Sequence, residues 1–124
     1  MKITGFCPIV VTKDTDNVIK VFEDLGFEKR HTKKDIEGGS NTAYALKDAD
    51  GNRITIASSE TVPQDITAIN INVDNFQEAY DFFIAHGFVN PRGDGRVTDT
   101  SSSKATMLFS PSGYAVNITE HLKD

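Results

Sequence analysis

The side chains best suited to acid–base or metal chemistry are few and scattered. The chain has three histidines, His31, His86 and His121, and one cysteine, Cys7. We interpret each histidine structurally: His31 begins an exposed strand, His86 lies in the last turn of a helix, where a cation suits the dipole, and His121 lies in a charged tail. Glu120 and His121 are adjacent, so on a continuing strand they point to opposite faces and cannot chelate one ion. These residues predict no metal centre.

No short motif indicates a reaction either. The sequence lacks a GxSxG elbow, a phosphate-binding loop and a CxxC pair. Cys7 has no neighbouring His or Lys to activate its thiol, so we interpret it as a small buried hydrophobe, with a reactive thiol as the alternative. The segment 48–52 resembles a calcium loop, but its glycine comes too early and Ser59 stands where a closing glutamate is needed. A plain Asp-Gly turn is therefore favoured.

The composition narrows the class of protein. The chain has 124 residues, a formal net charge of -5 and 38% hydrophobic residues. This length fits one domain, or two small modules sharing a core. The acidic balance disfavours nucleic acid and anionic membranes as partners. No apolar run is long enough to cross a bilayer, and a single cysteine fits a reducing compartment, so we expect a cytoplasmic protein.

The second half of the sequence repeats the first. Phe22–Phe27, reading FEDLGF, recurs as Phe83–Phe88, reading FIAHGF. In both copies an apolar helical stripe ends at Gly followed by Phe, and glycine tolerates the left-handed turn that ends a helix. Leu46–Ile56 likewise matches Leu108–Ile118, each a hairpin with its glycine at the same place. The repeat predicts two copies of one structural unit.

Periodicity assigns the elements of each copy. We predict an α+β fold of two tandem βαβββ modules, which form a curved mixed sheet with helices on the outside. Module one is 1–60, the linker is 61–65 and module two is 66–124. The predicted strands of module one are Ile3–Thr12, largely buried, then Phe27–Ile36, Asn41–Lys47 and Arg53–Ser58. Its helix should bury Val18, Val21, Phe22 and Leu25.

Module two follows the same order. Its first strand is Ile66–Val73, and Asn75 is the predicted N-cap of its helix, with Glu78 three residues on. A strand near 96–99 should pair with 105–110, and 114–119 closes the second hairpin. The segment 89–104 is the best candidate for a mobile flap over a site. We expect residues from 120 onward to form a charged tail.

A polar row runs along the strands at the predicted centre of the sheet. The isoleucines and valines of these strands should face the helices, so their polar neighbours should line an open trough. These neighbours are Arg53, Thr55, Asn70, Asn72, Asn117 and Thr119. The alternative is that some of them are ordinary exposed sheet residues.

The repeat, the Leu-Gly-Phe and His-Gly-Phe helix exits and the Ser110–Gly113 hairpin together resemble the vicinal oxygen chelate superfamily. That group includes glyoxalase I, extradiol dioxygenases and bleomycin-binding proteins. The resemblance implies four metal-ligand positions, commonly His, Gln or Glu, and carries them onto Cys7, Thr55, Ala68 and Asn117. None of these is a His or a carboxylate, so we predict no metal and no cofactor. Family members of this size often pair, which implies a homodimer.

The leading hypothesis is a metal-free protein that binds an unidentified small molecule. Its predicted ligand-binding residues are Cys7, Arg53, Thr55, Asn70, Asn72, Asn117 and Thr119. The acidic composition would suit a cationic ligand. The alternative is a glyoxalase-type lyase or isomerase that uses Glu120, His121, Arg53 or Cys7. A third hypothesis is a domain that pairs with itself or another chain and holds no ligand. Whether the protein is an enzyme stays open.

Overall fold

A computed structural model describes residues 1–36, 41–100 and 102–122, and its elements alternate as the repeat predicts. The order βαβββ occurs twice, which confirms the α+β class and the two tandem modules. The predicted Gly-Gly loop at 37–40 lies outside the described residues. The elements are β1 Ile3–Thr12, α1 Thr15–Leu25, β2 Glu28–Ile36, β3 Asn41–Lys47, β4 Arg53–Ser58, β5 Ile66–Val73, α2 Phe76–Ala85, β6 Thr98–Asp99, β7 Ser103–Phe109 and β8 Ala115–His121.

The chain divides into two compact units. Unit one is Cys7–Thr67, and unit two combines Met1–Phe6 with Ala68–Asp124. The strand order is β2-β3-β4-β1 in unit one and β5-β8-β7-β6 in unit two. In each unit one pair of strands is parallel and the others are antiparallel, so both sheets are mixed. Of the helices that the structure describes, neither is long and apolar enough to span a membrane.

The core of unit one lies between α1 and one face of its sheet. Ile19 is the buried residue of α1. It packs with Leu46, Ile54 and Ile56. Val21 and Leu25 are 62% and 70% exposed, so their predicted burial is wrong. Val21 lies about 200° around the helix from Ile19, and Leu25 is the last helical residue, where the chain leaves through Gly26.

Strand β1 is less buried than its β-branched composition predicts. Ile9 and Thr12 are buried, but Ile3 and Phe6 are 53% and 65% exposed. An apolar residue gains from burial only where another element covers it, and single exposed hydrophobes are common on protein surfaces. The prediction of a largely buried strand therefore holds for the second half of β1 alone.

Unit two has its own core beneath α2. Its buried members are Ile71, Val73, Phe76, Ala79, Tyr80, Phe88, Leu108, Val116 and Ile118. The start of the chain belongs to this unit: the backbone N–H of Asp74 donates to the carbonyl of Lys2, at 3.1 Å, and the Lys2 N–H donates to the Asp74 carboxylate at 2.6 Å. The first residues of β1 thus lie beside the end of β5.

The segment before β7 is tied to α2 by one hydroxyl group. The buried Tyr80 hydroxyl donates to the Asp94 carboxylate at 3.0 Å and accepts from the Gly95 N–H at 2.9 Å. Strand β6 covers Thr98–Asp99 alone, shorter than the predicted strand near 96–99. The role of 89–104 as a flap stays a prediction.

Asn75→Ala should lower the free energy of unfolding by about 1 kcal/mol. The Asn75 side chain accepts a hydrogen bond from the Glu78 N–H, at 3.0 Å, as the sequence predicts, and alanine leaves that helical donor without this partner. Asp14 is the matched control, because its carboxylate makes no capping hydrogen bond to α1 and, among the described residues, accepts only from the exposed side-chain amide of Asn17, at 2.7 Å. Urea unfolding followed by circular dichroism should show less than half the loss for Asp14→Ala. Equal losses for the two variants would contradict the capping role.

Candidate functional site

The predicted binding residues of unit one lie on the sheet face opposite α1. Ile54 and Ile56 are buried in the core under this helix. Because successive strand residues point to opposite faces, Arg53 and Thr55 point away from α1. Lys47 of β3 is the cross-strand neighbour of Arg53 and shares its face. This face of the sheet therefore carries Lys47, Arg53 and Thr55, whereas the opposite face carries Ile54 and Ile56.

A cleft of about 530 Å³ is lined by residues of β2, β3 and β4, among them Lys47 and Arg53, and we call it the β2–β4 cleft. Small-molecule sites commonly have volumes of roughly 300–1,000 Å³, so the cleft is of a suitable size. Of the predicted ligand-binding residues, Arg53 lines it. The lining residues are Arg30, His31, Ala45, Leu46, Lys47 and Arg53.

Two further predicted residues of unit one, Cys7 and Thr55, contact each other. The Cys7 sulfur lies 3.8 Å from the Thr55 hydroxyl oxygen, within hydrogen-bonding range for sulfur. The thiol is half-buried, so Cys7 is less buried than its interpretation as a small buried hydrophobe predicts. Thr55 lies opposite Ala45, a lining residue, and so stands beside the cleft.

The four predicted residues of unit two are brought together by the sheet, in an arrangement that we call the asparagine ladder. Asn70 and Asn117 are register partners on the parallel strands β5 and β8. The Asn117 amide donates to the Asn70 side-chain oxygen at 2.8 Å and to the Thr119 hydroxyl at 3.3 Å. The Asn70 amide donates to the Asn72 side-chain oxygen at 3.4 Å. The ladder thus engages its polar groups internally, and its role in binding stays a prediction.

The residues at the four implied metal-ligand positions do not fit a divalent ion. Ala68 has no donor atom, Cys7 and Thr55 are hydrogen-bonded to each other, and the Asn117 amide is part of the ladder. A thiol, a hydroxyl and an amide make a poor donor set for hard cations. Across the part of the chain that the structure describes, no three His, Cys, Asp or Glu side chains cluster in a way that could hold a metal.

Two further candidates for acid–base chemistry, Glu120 and His121, lie at the end of β8. Strand β8 continues to His121, so the predicted tail from residue 120 is wrong at its start. Pairing of Lys104 with Glu120 extends the β7–β8 ladder and keeps these residues in the sheet. The Glu120 carboxylate accepts a hydrogen bond from the Phe76 N–H, at 2.7 Å, and so satisfies a free donor at the start of α2. His121 is exposed at the end of the strand.

Five of the six residues that line the cleft were absent from the sequence prediction of the site, and three of these five are basic: Arg30, His31 and Lys47. Lys47 directly precedes the β3–β4 turn and Arg53 directly follows it, so the hairpin places them opposite each other. That signal is present in the sequence. Arg30 has no such signal, because a register shift between Lys29 and His31 decides its place. A bulge of this kind re-aims side chains and cannot be derived from alternation alone.

The turn next to Lys47 is organised by Asp48. The pKa of its carboxyl group is held below its usual range, chiefly by a hydrogen bond from the Asn52 side-chain amide at 2.8 Å. Backbone N–H groups of Asn52 and Asp50 also donate to it. A lowered pKa means that this contribution to the turn is complete above the usual pKa and is lost as the pH falls through the lowered value. At neutral pH Asp48 is ionised and engaged in its own turn.

The sequence and the structure of this chain were compared with those of known proteins. No protein-family model matches the sequence, and no curated protein matches it either. A solved structure of a glyoxalase/bleomycin resistance protein/dioxygenase superfamily member from Vibrio splendidus 12B01 is similar, with a TM-score of 0.61, 18% identity, and coverage of 96% of this chain and 99% of that one. The chain has the glyoxalase fold. The resemblance predicted from the sequence is thereby confirmed at the level of the fold.

Two further structures with the glyoxalase fold agree. Methylmalonyl-CoA epimerase from Mycobacterium tuberculosis gives a TM-score of 0.67 at 13% identity, over 95% of this chain and 88% of the epimerase. A V278E mutant of glyoxalase I from Zea mays gives 0.64 at 17% identity, over 97% of this chain and 44% of the maize chain. The TM-scores establish the shared fold. Because the sequence identities are this low, the activity has to be argued from the site.

Proposed function

We propose that this glyoxalase-fold protein binds a small organic molecule in the β2–β4 cleft. The observation that carries the proposal is the cleft itself, which has a volume of about 530 Å³ and is lined by residues of β2, β3 and β4. Arg53, a residue singled out from the sequence, lines it, and the Thr55–Cys7 pair lies on the strands beside it. Ala45 and the aliphatic stems of the long cationic side chains supply apolar contact.

We further propose that binding needs no metal ion. The support is the donor chemistry at the four implied positions, where Ala68 contributes no ligand and Asn117 donates its amide to Asn70. Of the four residues that the lyase or isomerase alternative names, Glu120 is hydrogen-bonded to the start of α2. That alternative would then use His121, Arg53 or Cys7, and it stays a second hypothesis. The homodimer and the cytoplasmic location stay predictions.

A thermal-shift screen tests the proposed function. Small organic compounds of both charges and of no charge, each at about 1 mM, should include members that raise the melting temperature, because a ligand that binds the folded state stabilises it by mass action. The cleft-filling variant Ala45→Phe should lower the affinity for those compounds about 10-fold or more, since the added ring occupies the cleft.

Ala49→Phe is the matched control for this screen, because it adds the same ring at an exposed position of the adjacent turn. It should leave the affinities unchanged. Compounds that bind Ala45→Phe as tightly as the unsubstituted protein would place the binding elsewhere and contradict the proposal.

Elemental analysis of the purified protein, and binding after dialysis against EDTA, test the proposal that binding needs no metal ion. A stoichiometric transition metal, or loss of binding after dialysis, would overturn that proposal.

A further inference from the structure

The charge of the β2–β4 cleft is opposite to the charge of the whole chain. The protein has 18 acidic and 13 basic residues and a formal net charge of -5. Three of the six lining residues, Arg30, Lys47 and Arg53, are cationic at neutral pH, and His31 is a fourth nitrogen base. None of the six is acidic. The acidic composition of the whole chain would suit a cationic ligand. The cationic lining of the cleft favours an anionic ligand instead.

The register brings two of these cations together. Lys47 and Arg53 are direct partners on the antiparallel strands β3 and β4. Side chains in such a pair start about 5 Å apart, and like charges directly opposite each other are unfavourable. Within residues 1–36, 41–100 and 102–122, no carboxylate forms an ion pair with either side chain. The pair therefore presents adjacent cationic donors to the cleft.

Two acidic residues next to Lys47, one across the strand pair and one in sequence, have other partners. Glu28 is the partner of Lys47 on the β2 side, but its carboxylate lies 3.9 Å from the Arg30 guanidinium. Asp48 follows Lys47 in sequence, and its carboxylate accepts hydrogen bonds from Asn52 within the turn. Neither carboxylate lies within ion-pair distance of Lys47 or Arg53. An anion in the cleft would meet two cations whose charges are not already paired.

We propose that the β2–β4 cleft binds its organic ligand through an oxyanion group, a carboxylate or a phosphate ester, held between Lys47 and Arg53. This proposal rests on the small-molecule function proposed above. The planar guanidinium of Arg53 can donate two parallel hydrogen bonds to such a group, and the Lys47 ammonium adds a third charged donor. The volume of about 530 Å³ exceeds what an oxyanion group alone occupies, so the rest of the ligand lies against Ala45 and the side-chain stems.

Four probes that share a benzene ring and differ in charge test this proposal. They are benzoate, phenyl phosphate, neutral benzamide and cationic benzylammonium, titrated calorimetrically into the full chain in a low-salt, phosphate-free buffer. At least one of the two anions should bind about 10-fold or more tightly than benzamide and benzylammonium. Benzoate alone would identify carboxylates, and phenyl phosphate alone would identify phosphate esters. Added salt should weaken the binding, because the cations are near the surface.

Variants assign the binding to this cationic pair. Arg53→Gln and Lys47→Gln should each lower the affinity for the bound anion about 10-fold or more, through loss of one charged donor. Arg53→Lys keeps the charge but loses the two-pronged geometry, so it should retain part of the affinity. Lys13→Gln removes the same charge from an exposed residue outside the cleft and should change the affinity by less than about 2-fold. Circular dichroism of each variant confirms that it is folded.

Several results would overturn the proposal. One is the absence of saturable binding by either anion, and another is benzamide or benzylammonium binding as tightly as benzoate. A third is an equal loss of affinity in Lys13→Gln and Arg53→Gln. Failure of the oxyanion inference is distinguishable from failure of the proposed function. Neutral or cationic ligands whose binding Ala45→Phe weakens would keep the small-molecule function while removing the oxyanion, whereas the absence of any ligand sensitive to Ala45→Phe would remove both.

Discussion

Leu46→Ala is expected to lower the free energy of unfolding by about 2–5 kcal/mol, the largest stability change predicted for this protein. Leu46 is 1% exposed in the core of unit one, where it packs with Ile19, Ile54 and Ile56. Removing three side-chain carbons there loses their burial and leaves a cavity that the rigid sheet cannot fully close. Urea unfolding of the full chain, followed by far-ultraviolet circular dichroism, measures the loss.

The control removes the same atoms from a leucine that periodicity alone would bury. Leu25 is 70% exposed at the end of α1, so Leu25→Ala should change the free energy of unfolding by less than about 0.5 kcal/mol. Because the two substitutions remove the same atoms, the difference between them reports chiefly burial, with a smaller contribution from helix and strand propensity. Comparable losses would mean that α1 buries the face that the sequence suggests.

Asn70→Ala is expected to lower the free energy of unfolding by about 1–3 kcal/mol. Asn70 is 9% exposed, and its side-chain oxygen accepts the 2.8 Å hydrogen bond from the Asn117 amide. Removing this acceptor leaves a part-buried amide with a weaker set of partners, and an unsatisfied donor away from water is costly. Urea unfolding measures this loss as well.

A double substitution of Asn70 and Asn117 tests whether the stability loss comes from the hydrogen bond between them. Replacing both Asn70 and Asn117 with Leu removes donor and acceptor together, so the double variant should lose less stability than Asn70→Ala. Asn17→Ala, at an exposed position of α1, is the surface control and should stay within about 0.5 kcal/mol of the unsubstituted protein. A double variant that is far less stable than Asn70→Ala would contradict the ladder.

The same variants examine the predicted site residues of unit two. None of Asn70, Asn72, Asn117 and Thr119 lines the β2–β4 cleft. We therefore expect Asn70→Ala, where it is folded, to retain the affinity of the cleft for its ligand, while Arg53→Gln does not. The polar row that looked uniform in the sequence would then have two roles, hydrogen bonding within the sheet in unit two and ligand binding in unit one.

Much of the fold could be predicted because its signals are local. Ile3–Thr12, Asn41–Lys47, Arg53–Ser58 and Ile66–Val73 are strands with the predicted bounds. Each is a run of β-branched or alternating residues that ends at a turn, and both properties are set by neighbours in sequence. The repeat then supplied the order of elements, since each copy supports the assignment of the other.

The parts that could not be predicted depend on residues distant in sequence. Val21 and Leu25 have the spacing of a buried face, yet they are exposed because the sheet meets α1 around Ile19 instead. The asparagine ladder exists because the register of β5 and β8 sets Asn70 beside Asn117, residues that lie 47 apart in the chain. Spacing along one element cannot reveal which neighbour covers it.

The sequence by itself determined the duplicated βαβββ order, the polar row on the strands and the poor donor set at the implied metal positions, because these are properties of residue type and short-range pattern. The tertiary structure alone decided which polar residues partner each other and which line a cleft. The bulge at Arg30 and the pairing of β2, β3 and β4 gather cations from three strands onto one face, and such a cluster forms only when strands come into register.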